Sequence, residues 1–175
     1  MNEKILSIIN QKGGVGKTTT VINLAAGLAI KGKKILVIDL DPQGNATTGL
    51  GLSNTDNSES TIYSVLNGTK NISDVIHKTK IDNLDLVTSN VDLSGLEVET
   101  AGDNRRAFIL KDQLMAYLND SRAQYDYVLI DCPPSLSLLT IMALVASNSL
   151  VVPLQTEFFA LEGLTQLMKT IDRIK

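Results

Sequence analysis

The chain has 175 residues, 43% hydrophobic and 20% charged, with a formal net charge of -3. That balance describes one soluble globular domain with a real core, excludes a disordered chain, and offers no overall basic surface to nucleic acid or anionic membranes. One cysteine, Cys132, and one histidine, His77, exclude an internal disulfide and leave little material for a zinc site. Met1–Lys4 is charged and the apolar run behind it is too short for a signal peptide. With no apolar stretch approaching a membrane span, the expected location is the cytoplasm.

In chain order, the first apolar run is Ile5–Ile9, read as a strand, followed by the loop NQKGGVGKTTT at 10–20. Thr18–Lys31 then repeats apolar residues at three- and four-residue spacing (Val21, Leu24, Ala25, Leu28 and Ala29), which predicts a helix. Strand, glycine-rich loop and helix in succession are the context that a phosphate-binding loop requires. Gly13, Gly14 and Gly16 let backbone N–H groups close around phosphate oxygens, and the helix start adds free donors and partial positive charge. Lys17 is placed to reach the β- and γ-phosphates and the Thr18 hydroxyl to ligate Mg²⁺. The pattern G-x-x-x-x-G-K-[ST] fails only at its first position, where Gln11 stands for glycine, and an additional lysine, Lys12, precedes the glycines.

Ile35–Ile38 is the second strand and runs into IDLDPQGN at 38–45. Alternation is expected to put Asp39 and Asp41 on one face at the carboxyl edge of the sheet, where open α/β sheets bind ligands. Ser53–Ser60 is a polar surface loop, Leu84–Val87 a third strand, and Arg106–Leu118 a second amphipathic helix. Val128–Ile130 is a buried strand leading to Asp131, the position of a Walker B carboxylate, and Pro133-Pro134 stops it and stiffens the next segment. Cys132 reads as a small packed residue, and His77 as a surface residue. Leu138–Ala146 is a third helix, apolar nearly all round, and Leu150–Val152 is the last strand. From about Phe159 a final helix sets Leu161, Leu164, Leu167, Met168, Ile171 and Ile174 on one apolar face. The near-continuous apolar strands and alternating helices predict an α/β fold, with a mostly parallel sheet and right-handed crossovers.

The stretches NQKGGVGKTTT, DLDPQGNATTGLG, LVTSNVDLSGLEVE, YDYVLIDCPPSLSLLT and VVPLQTEFFALEGL together resemble the ParA/Soj chromosome- and plasmid-partitioning ATPases over essentially the whole chain. The first and fourth are shared with the wider deviant-Walker-A group, including MinD and the nitrogenase iron protein. Gln11 with DPQGN and EFFALEGL is narrower. The resemblance implies a P-loop three-layer α/β/α sandwich with ATP and Mg²⁺ as its ligands. It implies that Gly13, Gly14, Val15, Gly16, Lys17, Thr18 and Thr19 hold the nucleotide, with Thr19 on the α-phosphate. Lys12 matches the lysine that reaches the partner subunit's ATP in a sandwich dimer, Asp41 the aspartate that positions the attacking water, and Asp131 the Walker B acid. Thr18, Asp41 and Asp131 are the implied metal-side residues, and Lys12, Lys17 and Asp41 the catalytic ones. Implied partners are a second copy in the ATP state, nonspecific DNA and a ParB-type protein, with no membrane.

Two departures accompany the resemblance. Met142 stands where the family commonly has Asn. The family also continues past the last helix with strands and helices that carry adenine contacts and basic surface, so the chain is expected to be an incomplete single domain whose last strand is an exposed sheet edge. Arg105, Arg106, Lys33 and Lys34 are read as solvated surface. Competing readings are a nucleotide-binding remnant without activity, a MinD-like membrane-cycling regulator, and a GTPase.

Overall fold

Every apolar run read as a strand becomes one in the computed structural model, which describes residues 4–52, 59–120, 124–156 and 160–174. The strands are β1 (Lys4–Ile8), β2 (Ile35–Asp39), β3 (Ile76–Lys78), β4 (Leu84–Val87), β5 (Tyr127–Asp131) and β6 (Ser149–Val151). They form one sheet in the order β3-β4-β2-β5-β1-β6. All neighbours are parallel except the short edge strand β3, which runs antiparallel to β4. β1 lies between β5 and β6, so the loop after it leaves the sheet one strand in from the β6 edge. β6 holds the other edge, as expected for the last strand.

The helices are α1 (Lys17–Ile30), α2 (Asn45–Gly49), α3 (Ile62–Leu66), α4 (Leu96–Glu99), α5 (Ile109–Leu118), α6 (Leu138–Ala146) and α7 (Ala160–Ile174). Strand alternation divides their packing into two layers. Ile35 and Val37 of β2 face the small residues Val21, Ala25 and Ala29 of α1. Leu36 and Ile38 belong to the opposite core with Leu110 and Leu114 of α5, Met142 of α6 and Leu167 of α7. The result is the expected three-layer α/β/α sandwich. Fully burying each such aliphatic side chain stabilises the fold by roughly 1.5–3 kcal/mol.

Several details differ from the sequence reading. β3 and the short helices α2, α3 and α4 lie outside the sequence reading, because elements of three to five residues carry no readable period. The Arg106–Leu118 pattern begins with one 3₁₀ turn over Arg106–Phe108 before α5. His77 sits half-buried in β3, its Nε2 2.9 Å from the Ser60 carbonyl oxygen. In α7, Leu167 is buried and Ile171 packs against the same core, but Met168 is half exposed. Residues 53–58 of the polar loop and Phe159 lie outside the described residues. Cys132 packs in the core as expected. No helix among the described residues is long and apolar enough to cross a membrane.

Candidate functional site

The site forms where β1, β2 and β5 end side by side. Register sets Ile8 beside Asp131 and Asp39 beside the same Asp131, so all three strand ends deliver their next residues to one region. From β1 the chain turns through Gly14 and Gly16, whose φ values of 71° and 88° lie in the left-handed region that favours glycine. Gly16 is also the residue before α1 and caps it with no side chain, leaving the first-turn N–H groups of Lys17, Thr18 and Thr19 for a ligand.

A cavity of about 550 Å³ opens above this turn. Gly13, Gly14, Gly16, Lys17, Thr18, Thr19 and Asp41 all line it, so seven of the expected site residues converge. Asp131 lies beneath, fully buried at the end of β5, with its Oδ2 accepting a 2.7 Å hydrogen bond from Thr18 Oγ1. Its Oδ1 is buried without a hydrogen-bond partner among the described residues. Burial, followed by the neighbouring charge of Asp39, pushes the Asp131 carboxyl up to about 7. The Lys17 ammonium is buried and donates to the Lys12 carbonyl oxygen at 3.1 Å. Burial holds its pKa below the ordinary lysine value, opposed by the charges of Asp131 and Asp41. A cation and two carboxylates therefore share a space from which much of the water is excluded, where charges act strongly on a bound anion.

Asp41 is nearly buried, with its Oδ1 accepting from Gln43 N at 3.0 Å. Asp39 does not join it on the cavity wall. β2 ends at Asp39, strand alternation ends with it, and its side chain is fully buried, with burial pushing its carboxyl up to about 6. Lys12 and Val15 also stand apart from the main cavity. Val15 is buried and Lys12 exposed, and both line a neighbouring space of about 230 Å³ with Gln11 and Gln155.

Sequence reasoning did not place Gln43 and Asn45 in the site and read Pro134 only as stiffening the segment after β5; all three line the cavity. The stretches DPQGN and CPP contain them, but composition alone does not say which side chain turns inward. It also missed the ties between the loop and the chain after β6. Asn10 Nδ2 donates to the Pro153 carbonyl at 2.7 Å, and Gln155 Nε2 donates to the Gly14 carbonyl at 3.2 Å. The basic residues read as solvated surface are engaged locally. Arg105 pairs with Asp112 at 2.9 Å, and Lys33 with Asp126 at 3.6 Å.

The profile of a family described as an AAA domain matches residues 3–175. The chain is 51% identical over 172 residues to the chromosome partitioning protein ParA of Caulobacter vibrioides (strain NA1000 / CB15N), covering 98% of this chain and 63% of that protein. It is 49% identical over 168 residues to the sporulation initiation inhibitor protein Soj of Bacillus subtilis (strain 168), covering 96% and 64% respectively. Among solved structures it is similar to cobyrinic acid a,c-diamide synthase from Mycobacterium smegmatis with bound ATP analog and magnesium. That similarity has a TM-score of 0.89 and 38% identity, over 98% of this chain and 68% of the other. The chain thus spans just under two thirds of the length of these two partitioning relatives.

Proposed function

From the premise that the chain belongs to the ParA/Soj partitioning ATPases, we propose that it binds ATP with Mg²⁺ in the cavity above Gly13–Thr19 and hydrolyses it as a partition switch. The observation that carries this reading is the meeting of Lys17, Thr18, Asp41 and Asp131 around one glycine-rich turn. Phosphoryl transfer asks a protein for positioning and charge stabilisation, and these residues supply both.

The residues fit Mg²⁺. Thr18 Oγ1 and Asp131 offer adjacent oxygens, and Asp131 Oδ1 is a buried acceptor without a partner among the described residues. Among the described residues no cluster of three or more His, Cys, Asp or Glu forms a dedicated metal cage. That suits an ion held by a few protein oxygens, waters and substrate phosphates. Thr18 and Asp131, with Asp41 nearby, would hold it, and it would neutralise charge on the phosphate oxygens.

Backbone N–H groups of the turn and the start of α1 receive the phosphates, and Lys17 sits against them. Asp41 faces the same cavity as an acceptor for the attacking water. Lys12 is exposed and outside the cavity of its own chain. This supports its reach toward a partner subunit's nucleotide, so that hydrolysis depends on dimerisation. On this reading the ATP-bound dimer holds nonspecific DNA, and a ParB-type partner stimulates slow hydrolysis.

Calorimetric titration with ATP-Mg²⁺ tests the reading. Saturable heat is expected for the unaltered chain and none for Lys17→Ala. Lys12→Ala is expected to keep affinity within about threefold while losing about 100-fold or more in turnover, the effect of removing an in-trans cation. Absence of binding by the unaltered chain would refute the nucleotide site, and equal turnover of Lys12→Ala would refute the in-trans role.

A further inference from the structure

Asp39 is a fully buried carboxylate for which the proposed chemistry has no use, and its partners all come from the segment that carries Asp41. Its Oδ1 accepts from Asp41 N at 3.1 Å. Its Oδ2 accepts from Thr47 N at 2.8 Å and from Thr47 Oγ1 at 2.7 Å. Thr47 is itself fully buried, and its hydroxyl oxygen accepts from Ser89 N, just past the end of β4, at 3.1 Å. The link between β2 and α2 is therefore fixed at its two ends to one side chain, and through Thr47 to the neighbouring strand. Between these anchor points lie Asp41, Gln43 and Asn45, all on the cavity wall.

An apolar residue would fill the same volume without the cost of burying a charge. What a carboxylate adds is direction: two acceptor oxygens in one plane, aimed at N–H groups two and eight residues downstream. Resting on the ATPase reading, we infer that Asp39 is a positioning residue for hydrolysis. Together with Thr47 it sets the backbone that turns Asp41 toward the nucleotide cavity, without touching nucleotide itself.

The inference is tested with Asp39→Asn, Thr47→Val and Thr47→Ser in the otherwise unaltered chain. An asparagine keeps the shape but has one acceptor oxygen, so the N–H of either Asp41 or Thr47 must face an amide N–H. Valine removes the Thr47 hydroxyl at nearly constant shape, and serine retains it. Backbone hydrogen exchange of the 41–47 peptide, measured without nucleotide, is expected to accelerate about tenfold or more in Asp39→Asn and Thr47→Val, and to stay within about twofold in Thr47→Ser. ATP turnover is expected to fall about tenfold in the first two variants, with nucleotide affinity within about threefold and recovery in Thr47→Ser. Unchanged exchange in Asp39→Asn, or identical behaviour of Thr47→Val and Thr47→Ser, would overturn the inference. So would affinity and turnover falling together. Should Asp39→Asn not fold, the valine–serine pair decides. Failure of the ATPase reading shows separately, as no turnover in the unaltered chain, and the exchange measurement still reads the inference.

Discussion

Replacing Asp131 by Asn should make the ligand-free protein more stable while disabling the proposed nucleotide site. Asp131 is fully buried, and burial with Asp39 alongside raises its carboxyl from an ordinary 3.8 to about 7. A carboxyl raised on folding holds its proton more tightly in the folded state. Stability from this group is therefore fully present below about pH 4 and is lost as pH rises through about 7. At pH 8 the charged form costs on the order of 4 kcal/mol. Asparagine removes the charge and still accepts from Thr18 Oγ1, but its new N–H₂ points where Oδ1 has no partner among the described residues, a loss of about 1–3 kcal/mol. The net gain is about 1–3 kcal/mol, or roughly 2–12 °C in Tm for a domain of this size. Thermal unfolding of both proteins without nucleotide, at pH 5 and pH 8, measures it. Asp131→Asn should melt higher at pH 8, the gap should narrow toward pH 5, and only the unaltered chain should gain from added ATP-Mg²⁺. A lower Tm for the variant at pH 8, or a gap that does not change with pH, would refute the reasoning.

Asp41→Ala should retain ATP-dependent dimerisation, read by light scattering, while turnover falls about 100-fold; a variant that stays monomeric with ATP counts against its assigned role. Tyr125→Phe should cost about 1–2 kcal/mol in urea unfolding, because the Tyr125 hydroxyl donates at 2.7 Å to the nearly buried Asp85. Lys78→Ala should cost under about 1 kcal/mol, since Lys78 pairs with the same oxygen from a largely exposed position; the reverse ranking would show that the ion pair, not the hydroxyl, satisfies Asp85. Burial pushes the Cys132 thiol above its ordinary pKa. It should therefore react at least about 100-fold more slowly with a disulfide reagent in the folded protein than in urea, and comparable rates would mean that the strand end is open to solvent.

The loop and its strand were legible because their chemistry is local. Gly14, Gly16, Lys17 and Thr18 sit within five positions, and strand, turn and helix leave distinct patterns there. The five parallel strands were nearly as readable, since strands such as Ile35–Asp39 and Leu84–Val87 are buried on both faces and rich in aliphatic residues. The role of Asp39 was not legible. Its partners Asp41, Thr47 and, through Thr47, Ser89 come together only once β2 and β4 are paired, and a two-residue spacing of aspartates does not say where the strand stops. The ties from Asn10 to Pro153 and from Gln155 to Gly14 were hidden for the same reason, at separations of 143 and 141 residues. His77 illustrates the reverse error: a polar residue read as surface is half-buried because an unforeseen edge strand carries it.

The place of β1 in the sheet has a consequence for the order of events during synthesis. β1 precedes the other described strands in the chain, yet its neighbours are β5 and β6, beginning at Tyr127 and Ser149. Until Ser149–Val151 has been made, Leu6, Ser7 and Ile8 lack one of their two pairing partners. β2 and β4 can already pair with each other. Contacts of this separation close late and slowly. Of the described strands, the earliest in the chain is thus among the last to be flanked on both sides. A nucleotide bound at the proposed site would therefore favour the state in which β5 and β6 flank β1.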